Sequence, residues 1–130
     1  MNVFHYTVQT DKTITDAIST VQKNLQEEKF GVLWEFNVKE TLESKGFGLD
    51  RPFVVLEVCQ PKVAQEVLAK NRSVGYFLPC KIVIYEDDQG KTNIGLLRPT
   101  VLMNMLGDET LTAFAETIEN TLKTVIDKSK

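Results

Sequence analysis

Short alternating segments and longer helical stripes follow one another along the chain, and their order predicts a two-layer α+β domain. Positions 3–8 alternate, with Phe4, Tyr6 and Val8 on one side and His5 and Thr7 on the other, which predicts a half-buried first strand. Thr13-Ile14-Thr15-Asp16 has the form of a capping box with Asp in place of Glu. Ile14, Ala17, Ile18, Val21 and Leu25 then fall on one helical stripe, and Gly31 is expected to close that helix. Period-2 alternation over 32–38 predicts a strand with Val32, Trp34, Phe36 and Val38 toward the core and Leu33, Glu35 and Asn37 away from it.

A short helix over 39–45, ended by Gly46, and a loop over 46–52 lead to the strand on which the rest of the pattern centres. Phe53-Val54-Val55-Leu56-Glu57-Val58-Cys59 is a β-branched run stopped by Gln60-Pro61, with Pro61 at the first position of a helix over 61–70. A loop over 71–78 precedes strands over 80–86 and 92–97, joined as a hairpin by Asp87-Asp88-Gln89-Gly90. Pro99 breaks the sheet, a helical turn is expected over 100–106, and Asp108 is placed to cap the last helix. That helix carries the strongest stripe, with Leu111, Phe114, Ala115, Ile118, Leu122, Val125 and Ile126 at spacings of three and four, so it should be the main cover of the sheet.

A chain of 130 residues with 42% hydrophobic and 25% charged residues matches one globular domain over 1–130, ordered except for the Lys128-Ser129-Lys130 tail. The net charge of -3 argues against a nucleic-acid partner, which requires a concentrated basic face. No apolar run approaches the roughly 18 residues of a membrane span, and Met1-Asn2-Val3-Phe4-His5-Tyr6 lacks the basic start and apolar block of a signal peptide. A cytoplasmic location with free thiols at Cys59 and Cys80 is therefore expected.

The segments Leu56-Glu57-Val58-Cys59-Gln60-Pro61 and Leu78-Pro79-Cys80-Lys81-Ile82-Val83-Ile84-Tyr85-Glu86-Asp87, with the Gly90 turn, resemble the domain of unknown function family three hundred and two. The resemblance covers nearly the whole chain, with Gln60 in place of the Asn associated with that position. It implies a TATA-binding-protein-like order β-α-β-β-β-β-α, an antiparallel five-stranded sheet covered on one face by helices, short inserted helices, and often a homodimer. It implies no activity. The DNA-binding role of that fold's best-known member does not carry over, because function lives in sites and this chain is acidic.

Candidate chemistry centres on Glu57 and Cys59, which project from one strand toward the same side about 7 Å apart. The face opposite the helices is expected to collect His5, Thr7, Leu33, Glu35, Phe53, Val55, Glu57, Cys59, Lys81, Val83, Tyr85 and Leu97. Such a face is too apolar for water and reads as an interface or a ligand groove, so a homodimeric module binding a small molecule through Glu57, Cys59, Phe53, Lys81, Tyr85 and His5 is the primary reading. Glu57 also has a plainer reading as a hydrogen-bonded interface carboxylate. The alternative class is a thiol or metal site, with zinc on Cys59, Cys80 and Glu57, but parity places Cys80 on the helix-covered face, where it reads as a small buried group. With one His, no CxxC and no G-x-S-x-G, a catalytic triad has no support, and Gly46 and Gly48 read as turn glycines and not as a phosphate loop.

Overall fold

A computed structural model describes residues 3–130; Met1 and Asn2, the start of the segment weighed against a signal peptide, lie outside them. Five strands form one sheet: β1 (His5–Thr10), β2 (Gly31–Asn37), β3 (Phe53–Cys59), β4 (Cys80–Glu86) and β5 (Thr92–Leu97). Their spatial order is β1-β5-β4-β3-β2, and every pair is antiparallel, so β2 to β5 run as a meander and β1 closes against β5. The helices are α1 (Ile14–Glu27), α2 (Val38–Ser44), α3 (Pro61–Lys70), α4 (Pro99–Asn104) and α5 (Thr112–Ser129). The architecture is the expected α+β two-layer arrangement, with α1 and α5 packed on one face.

That face is apolar because the strands alternate. Val54, Leu56 and Val58 of β3, Ile82 and Ile84 of β4, and Ile94 and Leu96 of β5 are all buried against Ala17, Val21 and Leu25 of α1 and Ile118, Leu122, Val125 and Ile126 of α5. A second cluster, Val67, Val74, Met103, Leu111 and Ala115, fixes α3 and α4 to the start of α5. Phe114 only packs partly against this smaller cluster, so it is not the core anchor that its place in the stripe implies.

Thr13 caps α1 as expected, its hydroxyl accepting from the Asp16 amide at 3.2 Å. The other end differs from the sequence expectation. Lys29, with φ 65°, takes the left-handed position; the Phe30 amide donates to the Leu25 carbonyl and the Lys29 amide to the Gln26 carbonyl, leaving Gly31 free to begin β2. Burial of Phe30 explains why a Lys is held there, since its ring packs into the main core.

The C-terminal segment is also more ordered than its composition predicts. Ser129 is fully buried within α5, receives a hydrogen bond from the Asn24 amide at 2.9 Å, and donates to the Val125 carbonyl at 2.6 Å. Near the middle of α5, buried Glu119 accepts from the Thr100 amide and hydroxyl and from Arg98 and Lys123, joining the end of β5 to α4 and α5.

The largest departure is in β2. Val32 pairs with Val58, but Trp34 pairs with Glu57, so Leu33 is an extra residue in the edge strand and the parity changes there. Trp34 and Phe36 therefore join Glu57 and Val55 on the open face, whereas the alternation had assigned both to the core. Glu35 moves the other way: its carboxylate accepts from Gln22 of α1 at 2.8 Å, on the helix side. A bulge in an edge strand also increases its twist and blunts further pairing.

Candidate functional site

The open face of the sheet carries side chains from all five strands in cross-strand rows. One row runs Trp34, Glu57 and Lys81, with Leu97 and His5 paired on the far strands; the next runs Phe36, Val55, Val83, Gly95 and Thr7. Phe53 and Tyr85 form a third pair, their rings stacked 5.2 Å apart and 15° from parallel. Trp34 and Phe36 stack on the edge strand at 4.8 Å and 5°.

Between these rows lies a groove of about 420 Å³. Phe53, Tyr85 and Val83 form one wall, Phe4, His5 and Thr7 the other, with Leu97 and the Lys81 side chain at one end. Gly95 occupies the middle of the floor, and its lack of a side chain is required by close approach. A Cβ there would lie 2.8 Å from the Thr7 hydroxyl and 3.2 Å from a Val83 methyl. Thr7 is held in turn by the His5 ring, whose Nδ1 lies 2.8 Å from the hydroxyl.

Lys81 stands directly across from Glu57 and pairs with its Oε1. Glu57 is only 8% exposed, and no group among the described residues donates to its Oε2. A half-exposed ammonium thus caps a buried carboxylate whose second oxygen is unsatisfied, an arrangement that costs free energy unless something else repays it.

Of the residues proposed from sequence, Phe53, Lys81, Tyr85 and His5 come together at the groove, and Glu57 joins them through Lys81. Cys59 does not border the groove. It lies with Cys80 at a cavity of about 10 Å³ between the strand ends and α3, a space about the size of one water. Burial pushes the Cys59 thiol up. Burial, and then the Cys59 and Glu57 charges, push the Cys80 thiol up to about 12. Neither is prepared as a nucleophile.

The zinc alternative has no shared ligand site, because Glu57 pairs with Lys81 on the open face while Cys80 pairs with Val58 on the covered one. Among the described residues no group of three or more His, Cys, Asp or Glu side chains is placed to hold a metal ion.

Sequence reasoning missed Phe4, Gly95, Trp34 and Phe36. Phe4 precedes β1 and so escapes its alternation, leaving its ring 61% exposed at the groove. Gly95 carried a readable signal, since a glycine inside a strand pattern marks a close approach. Nothing in the local sequence marks Leu33 as the bulged residue.

The fold and this face define a two-layer α+β domain with one sheet face covered and the other open and rich in aromatic side chains. Among the described residues no helix is long and apolar enough to cross a membrane. The chain belongs to the family described as "Domain of unknown function DUF302", which matches residues 6–129. Among solved structures it is similar to an uncharacterised conserved DUF302 protein from Bacillus stearothermophilus, with 43% identity, a TM-score of 0.95, and coverage of 99% of this chain and 100% of that one. A comparison with curated proteins found no match.

Proposed function

We propose that the protein is a small homodimeric module that binds a small molecule on the open face of its sheet. The observation that carries this reading is the groove of about 420 Å³ over Gly95, walled by the Phe53–Tyr85 stack and by Phe4. Binding sites for small molecules are concave, mostly apolar and supplied with a few placed polar groups, and their volumes run from about 300 to 1,000 Å³. Lys81, His5 and Thr7 are such groups. A neutral solvatochromic dye such as Nile red should bind the native protein and lose binding in Val83→Trp, which fills the groove from a half-buried position. An unfilled groove that takes up no dye at any attainable concentration overturns the reading.

The homodimer draws support from another surface. Leu33 and Trp34, consecutive on the edge strand, are 61% and 54% exposed, two large apolar side chains of the kind that a second copy covers. Sedimentation should give a dimer at micromolar concentration and a monomer for Trp34→Asp. A monomeric wild type removes the dimer and leaves the groove untouched.

A further inference from the structure

We infer that the ligand of the groove is an organic anion with a flat apolar body, an aromatic carboxylate in the simplest case, whose charge is received by Lys81. The inference rests on the small-molecule reading above and specifies its chemistry.

The body of the ligand is set by the walls. The rings of Phe53 and Tyr85 stack on each other 5.2 Å apart and 15° from parallel, and with Phe4 they make the lining of the groove largely aromatic. A planar ring gains more from an aromatic lining than a branched chain of equal volume, because offset or edge-to-face ring contacts add to burial of its apolar area.

Its charge is set by the groups that line the groove. No carboxylate borders it among the described residues, although the chain as a whole carries a net charge of -3. Lys81 and His5 are the cationic and basic groups there. An ammonium has three donors, and Glu57 Oε1 takes one, so two remain for a ligand. Glu57 lies behind Lys81 in the sheet, 8% exposed, whereas the Lys81 side chain is 46% exposed. The carboxylate therefore sets where the ammonium stands, and the ammonium is what an incoming molecule meets. Glu57 thus acts as a positioning residue.

The test uses probes that share one apolar frame and differ in charge: 1-naphthoate, 1-naphthalenemethanol and 1-naphthylmethylamine, titrated calorimetrically at neutral pH. The acid should bind about tenfold or more tighter than the alcohol, as one charge-assisted hydrogen bond implies, and the amine should bind weakest. In Lys81→Met the acid and alcohol should become equal, and Lys81→Arg should keep the preference. Because Lys81→Met strands the Glu57 carboxylate, the double variant Glu57→Gln/Lys81→Met serves as the control that removes both charges. It too should bind acid and alcohol equally. A wild-type protein that binds the alcohol or the amine as tightly as the acid overturns the ligand class but leaves the groove reading standing, as does a preference that survives loss of Lys81. Failure of all three probes together with the neutral dye overturns both.

Discussion

Trp34 stands across from Glu57, although Val32, two residues earlier, stands across from Val58, so Leu33 is accommodated as an extra residue in β2. This relationship places an indole beside the buried carboxylate on the open face and turns Glu35 toward Gln22 on the other. Deleting Leu33 should therefore heal the ladder and leave every later side chain on its present face. The deletion variant should fold, melt within a few degrees of the wild type and keep the Trp34 emission of an exposed indole. In an unbulged strand the same deletion would reverse the faces of every residue after it and unfold the edge, so an unfolded variant sinks the register described here.

Glu119 couples stability to pH. Burial alone would raise its carboxyl, but hydrogen bonds from the Thr100 hydroxyl and amide, then from Lys123 and Arg98, hold it below the ordinary carboxylate value. A carboxyl lowered in the folded state contributes stability above its unfolded value of about 4.3 and loses it as the pH falls through the folded value. Glu119→Gln should thus melt earlier at neutral pH and show a flatter melting profile in acid. Removing one partner of a buried pair costs of the order of 3 kcal/mol, the low end of the usual range because both cations reach water. Parallel acid profiles for variant and wild type would exclude this role.

Leu122 and Phe114 lie on the same helical stripe but should differ in their effect. Leu122 is fully buried against the sheet, so Leu122→Ala should cost about 2–5 kcal/mol. Phe114 is half-exposed at the smaller cluster, with the Lys70 ammonium 5.8 Å from its ring centroid, and Phe114→Ala should cost less. Urea midpoints of the two variants in the reverse order would mean that α5 packs with a different rotation.

The thiols should react slowly and in a fixed order. Burial raises both, and Cys80 far more than Cys59, so at pH 8 alkylation by iodoacetamide should reach Cys59 first and leave Cys80 largely unmodified until the protein unfolds. Mass spectrometry of timed samples reads this directly; Cys80 modified ahead of Cys59 in the native protein would contradict the burial described.

Much of this molecule is written locally. The alternation in β3, β4 and β5 and the stripe of α5 identify which side chains meet in the main core, because burying one face of a strand or helix is a period-2 or period-3.6 constraint on neighbouring residues. The same parity places Phe53, Glu57, Lys81 and Tyr85 on one open face before any contact is seen. Three things were settled only by the tertiary structure. Leu33 reverses the faces of Trp34 and Phe36, since one added residue changes parity and its cost is repaid by partners on β3 and α1 that are distant in sequence. Lys29 adopts a left-handed conformation ahead of an available glycine because burial of Phe30 over-determines the helix end. The groove exists because Thr7, Gly95 and Val83 meet in one row across β1, β5 and β4, a juxtaposition made by strand order and therefore invisible to any window of sequence.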